Sequence, residues 1–146
     1  TTKGADQYDQ SQVTKHTFVY GHTSTSESTQ QLMGLNFNDL LQQKTNGAMT
    51  CDSFDSAQLG SDPSLLADIQ SGSLDFYATS PVNYASIMPE ISALDMPFLF
   101  KNEKDMRTKM IDDPALFDLM YNVFLEKNFV LLPIFSSGHA SDFKQC

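Results

Sequence analysis

Apolar and polar positions follow two different rhythms along this chain. Residues 1–15 are polar and carry no apolar pattern, which reads as an arm. His16 to His22 (HTFVYGH) is short and rich in β-branched and aromatic residues, and predicts a first strand ending at Gly21. The Ser/Thr cluster Ser24–Ser28 can cap a helix. Met33, Phe37, Leu40 and Leu41 then recur at i, i+4, i+7 and i+8, predicting a helix from about Ser26 to Lys44. Asn46-Gly47 stops it. Ala48 to Phe54 predicts a second strand, with Met49 and Cys51 on one face. Asp62-Pro63 supplies an N-cap acid and then a proline at the first helical position. Leu65, Leu66 and Ile69 form that helix's apolar side, and Gly72 closes it. Leu74 to Ser80 (LDFYATS) predicts a third strand, and Pro81 to Pro89 a loop or a single helical turn.

The second half is denser. Met96-Pro97-Phe98-Leu99-Phe100 is an apolar knot, expected to bury a large aromatic area against the sheet. Glu103 to Ile111 predicts a helix. Asp113-Pro114 repeats the acid–proline start, and Leu116, Phe117, Met120, Val123 and Phe124 form an apolar face up to Lys127-Asn128. Phe129 to Phe135 predicts a last strand, before a polar end from Ser136 to Cys146. The order β-α-β-α-β-α-α-β predicts an α/β fold, with a mostly parallel sheet and helices on both faces. The polar arm, 1–15, is followed by one α/β unit, 16–146.

Charge narrows the partners. The net charge is −9, and no Lys/Arg cluster offsets it, so nucleic acid and anionic lipid are discounted. No stretch approaches the roughly 18 apolar residues of a membrane-spanning helix. Thr1 is not a plausible initiator, so the chain reads as mature or processed. Two cysteines, Cys51 and Cys146, allow one disulfide or two free thiols. With no CxxC pair and the three histidines scattered, neither a zinc site nor any other metal or cofactor is expected.

Catalysis finds little support. Asp52, Asp55, Asp62 and Asp95 make no spaced acid/base pair on one element. Ser136-Ser137-Gly138 lacks the flanks of a nucleophile elbow. Gly34, Gly47 and Gly60 do not make a phosphate-binding loop. No enzyme activity is expected.

Three stretches carry a family likeness when taken in order. They are Lys44-Thr45-Asn46-Gly47; Ser56-Ala57-Gln58-Leu59-Gly60 with a helix to Gly72 and then Leu74-Asp75; and Pro89-Glu90 followed by Leu94 to Phe100. With Tyr20-Gly21-His22, they make residues 16 to 142 resemble the DctP-type solute-binding proteins of TRAP transporters. The resemblance implies one lobe of a two-lobed periplasmic binding protein, with the second lobe absent from this chain. It implies a small carboxylate ligand in the cleft between lobes, closure around it, and delivery to TRAP membrane subunits. The family's main carboxylate-binding arginine would fall in the absent half. The only arginine here, Arg107, falls in a predicted surface helix. After the last strand the family's arginine position is Ala140, within Ser137-Gly138-His139-Ala140.

Ligands of open α/β sheets bind beyond the carboxyl ends of the strands. The candidate ligand-binding residues are therefore His22 and Thr23 after the first strand, Thr79, Ser80 and Asn83 after the third, and His139 after the last. Their hydroxyls and amide are candidate donors to a carboxylate. The alternative is an interaction module that reuses a truncated lobe, with other chains filling the incomplete sheet of a membrane-associated or extracellular assembly.

Overall fold

The computed structural model describes residues 13–95 and 99–132. Among the described residues, three parallel strands form a sheet: β1 (His16–Gly21), β2 (Met49–Phe54) and β3 (Phe76–Tyr77), in the order β2-β1-β3. β1 runs beside β2 from His16↔Met49 to Gly21↔Phe54, and beside β3 only at Tyr20↔Phe76 and Gly21↔Tyr77.

Helix α1 (Thr29–Thr45) covers one face, with Met33 and Leu41 packed on Tyr20, Cys51 and Ala78. Helix α2 (Asp62–Ser71) lies on the other, where Gly21 faces Leu59, Leu65 and Leu74. A second core gathers Leu66, Met88, Ile91, Phe124 and Phe129. Two 3-10 turns (Pro81–Tyr84, Pro89–Asp95), α3 (Glu103–Arg107), a π-helical turn (Thr108–Asp112) and α4 (Pro114–Glu126) complete the described chain. The α/β class with a parallel sheet and helices on both faces is the observed one.

Helix ends follow the sequence signals closely. Asn46 is left-handed and Gly47 N–H reaches Gln42 O at 2.9 Å. Gly72, also left-handed, is followed by Ser73 N–H on Asp68 O at 2.9 Å. At the end of α4, Asn128 has φ 64°, and Asn128 and Phe129 donate to Leu125 O and Phe124 O. These are Schellman-type closures, which satisfy carbonyls the helix leaves open.

Several expectations change. α2 starts one residue earlier than its acid–proline signal: Ser61 is the N-cap and Asp62 the first helical residue. The third strand shrinks to two residues, and at its start Asp75 meets β1 through its side chain as well: Val19 N–H donates to Asp75 Oδ2 at 2.8 Å. Residues 129–132 are not a strand. Phe129 instead folds back under α4 onto Phe124, at a ring separation of 6.3 Å. Of α1's expected apolar stripe, Phe37 and Leu40 are 38% and 53% exposed. In the apolar knot Leu99 is exposed, while Met96, Pro97 and Phe98 lie outside the described residues. The arm up to residue 12, the rest of the expected last strand and Cys146 also lie outside them.

Candidate functional site

The carboxyl ends of β1 and β3 sit side by side, since Gly21 pairs with Tyr77 and Ala78 N–H reaches Gly21 O at 3.4 Å. The next residues of each strand, Thr23 and Thr79, therefore come together by topology alone. Between them stands Asp62, in the first turn of α2, where the helix dipole favours a negative charge. Thr23 Oγ1 donates to both carboxylate oxygens, at 3.1 and 3.2 Å. Thr79 Oγ1 donates to Oδ1 at 3.3 Å, and the Tyr77 hydroxyl donates to the same oxygen. Asn83 extends the cluster by donating its amide to Thr79 Oγ1.

Burial and the Asp62 bond hold the Tyr77 phenol proton well above the usual range, in that order of importance. Tyr84, whose ring packs against Tyr77 at 6.4 Å, is pushed up to about 12, chiefly by burial and then by the Asp62 charge. Both phenols stay protonated at ordinary pH.

His22 turns the other way, under α1. It is 1% exposed, and its Nε2 lies 2.8 Å from Gln31 Oε1. Ser53 Oγ donates to the same carbonyl oxygen at 2.7 Å. A carbonyl oxygen only accepts, so Nε2 is the donor of this pair. Nδ1 has no partner among the described residues.

Four of the six sequence candidates thus meet at one end of the sheet: Thr23, Thr79 and Asn83 in the Asp62 cluster, and His22 beneath α1 beside it. Ser80 is exposed and makes no capping bond, so it stands apart from the cluster. His139 lies outside the described residues. Sequence reasoning missed Asp62, Tyr77, Gln31 and Ser53 as site residues. The acid–proline signal puts Asp62 at the N-cap position, which Ser61 holds. Tyr77 and Thr79, two apart on one strand face, carried the available signal.

The turn after β2 braces this end. Ser56 and Ala57 are left-handed (φ 50° and 59°), and their N–H groups reach Ser24 O at 2.8 Å and His22 O at 3.3 Å. No group of three His, Cys, Asp or Glu side chains among the described residues is placed to hold a metal ion. No described helix is long and apolar enough to cross a membrane.

Known proteins resemble the chain in both sequence and fold. The 2,3-diketo-L-gulonate-binding periplasmic protein YiaO of Escherichia coli (strain K12) is 26% identical over 114 residues, 75% of this chain and 35% of that protein. The C4-dicarboxylate-binding protein DctB of Bacillus subtilis (strain 168) is 28% identical over 83 residues, 57% of this chain and 24% of that protein. Among solved structures, the sugar acid binding protein DctPAm of Advenella mimigardefordensis, in complex with galactonate, superposes with a TM-score of 0.72. It is 25% identical and matches 79% of this chain and 36% of that one. The chain thus spans about a third or less of the length of these relatives. The family model of the bacterial extracellular solute-binding proteins, family 7 (DctP), matches residues 20–142, nearly the whole described fold, and the chain belongs to that family.

Proposed function

We propose that this chain is a ligand-facing lobe of an extracytoplasmic solute receptor, one that captures an organic acid and delivers it to the membrane subunits of a TRAP-type transporter. The observation that carries the reading is the polar cluster around Asp62, at the carboxyl ends of β1 and β3, within a chain that matches the family from residue 20 to 142. The lobe supplies one wall of the cleft. A second lobe, carried by the part of the relatives' length this chain does not span, closes on the ligand by a hinge and supplies the cation for its carboxylate. The periplasm is the compartment this implies. Calorimetric titration of the full-length protein with C4-dicarboxylates, keto acids and sugar acids tests the reading. Heat from at least one class is expected, and silence from all three overturns it.

A second reading, an interaction module that docks on other chains, draws on the outer edge of β3. Among the described residues no strand lies beside that edge, and Val130 and Leu132 are 66% and 52% exposed. Sedimentation of the isolated chain separates the two readings, since a well-behaved monomer argues against docking.

A further inference from the structure

The chain holds seven asparagines, and Asn46 is the only one followed by glycine. That pair carries a chemistry of its own. Gly47 has no side chain to shield its backbone nitrogen, so the nitrogen reaches the asparagine amide carbon whenever the backbone allows it. Both residues are exposed, and a Cβ built at Gly47 would meet nothing within 4 Å. Two features of the α1 closure oppose the attack. Gly47 N–H donates to Gln42 O at 2.9 Å, and Asn46 N–H donates to the same oxygen, so the nucleophile is engaged. Asn46 also sits at φ 51° and ψ 40°. At that ψ, in an L-residue, the Gly47 nitrogen lies nearly opposite Cβ across the Cα–C bond, whereas a five-membered ring needs the two eclipsed. Ring closure therefore demands close to half a turn about that bond, which breaks the Gly47 hydrogen bond. Asn128 closes α4 with a similar backbone (φ 64°), but Phe129 follows it and is 5% exposed, so its nitrogen is shielded.

We propose that Asn46-Gly47 is a deamidation site gated by the C-terminal turn of α1. When the turn opens, Gly47 N attacks Asn46 Cγ, the Cγ–Nδ2 bond breaks, and ammonia leaves with the Gly47 amide proton. The succinimide so formed takes up one water at either of its carbonyl carbons. Hydrolysis leaves aspartate or isoaspartate at position 46, and nothing is oxidised or reduced. Thr45 sets how often the turn opens. Its Oγ1 donates to Leu41 O at 2.7 Å and accepts from Met49 N–H at 3.0 Å, tying the helix end to the start of β2. Both products loosen the closure that guarded the site. Aspartate puts a negative charge at a helix C-terminus, the unfavourable end of the dipole. Isoaspartate adds one carbon to the backbone ahead of Gly47, which shifts Gly47 off Gln42 O. The same shift reaches Ala48, whose carbonyl accepts the His16 N–H at 3.1 Å where β1 and β2 begin to pair.

The test is peptide mapping by mass spectrometry of the full-length protein aged in warm, mildly alkaline buffer, both folded and in urea. The readout is aspartate and isoaspartate at position 46. In urea Asn46 should convert before any other asparagine, and in the folded protein it should convert at least about 10-fold more slowly. Thr45→Val keeps the shape of the side chain and removes the hydroxyl. It should speed Asn46 conversion in the folded protein by roughly 3-fold to 10-fold, speed amide hydrogen exchange at Gly47 by a similar factor, and leave the rate in urea unchanged. If that variant does not fold, the comparison of folded and urea-treated wild type decides alone. Another asparagine converting ahead of Asn46 in urea overturns the site. Equal rates at Asn46 folded and in urea overturn the gate. A Thr45→Val protein that exchanges Gly47 faster yet ages at the wild-type rate overturns it too, since opening of the turn would then not limit the reaction.

Discussion

Gly34 on α1 lies flat against the ring of Tyr20 on β1. A Cβ at Gly34 would stand 2.5 Å from Tyr20 Cε1, 2.6 Å from Cδ1 and 2.9 Å from Ser53 Oγ. The ring cannot yield. It is 4% exposed, and its hydroxyl donates to Gln30 O at 2.9 Å. Alanine in a helix interior normally gains about 1 kcal/mol over glycine. Here overpacking of the core, typically about 1–3 kcal/mol, opposes that gain and should exceed it at such short distances. Gly34→Ala is expected to lower stability by about 1–2 kcal/mol in urea denaturation. Asn36→Ala, on the exposed side of the same helix, should be neutral or slightly stabilising. A stabilised Gly34→Ala protein would refute the contact.

That contact also marks how far sequence reading reaches. The helix stops were legible because Asn46-Gly47, Gly72 and Asn128 adopt a left-handed backbone that most residues avoid. The face of α1 was only half legible. Apolar periodicity selects large side chains, and it picked Phe37 and Leu40, yet the buried position of α1 is Gly34, a residue with no side chain. Asp62 illustrates the other limit. Its partners Tyr77 and Thr23 stand 15 and 39 residues away in sequence, and nothing local distinguishes a capping acid from the hub of a cluster. At the start of the shortened β3 a side chain, that of Asp75, takes a β1 backbone N–H, which a pattern of apolar residues does not encode.

The Tyr77 phenol should sense the Asp62 charge. Burial and the bond to Asp62 both hold the phenol proton, so ionisation of Tyr77 is raised in the folded protein. Asp62→Asn removes the charge and leaves the burial. The Tyr77 phenol should then ionise at lower pH than in wild type, though still above an exposed tyrosine. Difference absorbance of tyrosinate between the two proteins, with Tyr77→Phe to assign the signal, checks this. Superimposable curves would show that the phenol does not sense Asp62.

Cys51 predicts a specific loss of stability in alkali. The thiol is 3% exposed, and burial, with Asp52 and Asp75 adding, pushes its pKa from 9.0 up to about 11. The unfolded chain loses this proton near pH 9, while the folded chain keeps it until about pH 11. Between those values the unfolded state binds fewer protons, so stability falls as pH rises. The contribution is fully present below pH 9 and lost above about pH 11, and amounts to about 2–3 kcal/mol. Urea denaturation at pH 8 and at pH 10.5, on wild type and Cys51→Ala, isolates the effect. Alanine costs some packing at both pH values, but its fall with pH should be shallower. Parallel falls would rule out the thiol as the cause. Tyr84 acts with the same sign in a higher window, from about pH 10 to 12, and is common to both proteins.

The turn after β2 carries strain that supports the site. Ser56 and Ala57 both have positive φ, although neither is glycine. The left-handed pair points two N–H groups back at the segment after β1, onto Ser24 O and His22 O, and so fixes the stretch that carries Thr23. An L-residue in that conformation costs roughly 1–2 kcal/mol. Ala57→Gly removes the cost but adds roughly 0.5–1 kcal/mol of unfolded-state freedom. The net expectation is a protein as stable as wild type, or more stable by up to about 1 kcal/mol, where glycine in an ordinary helix or strand would destabilise. Ala57→Val should have the opposite effect, because a branched Cβ tolerates positive φ poorly. It should lower stability by at least about 1 kcal/mol and weaken ligand binding by the full-length protein, since the segment holding Thr23 against Asp62 loses its brace. Thermal melts of both variants, followed by titration with the tightest ligand, give the comparison. A glycine variant clearly less stable than wild type, or a valine variant unchanged in both readouts, would remove the turn from any account of the site.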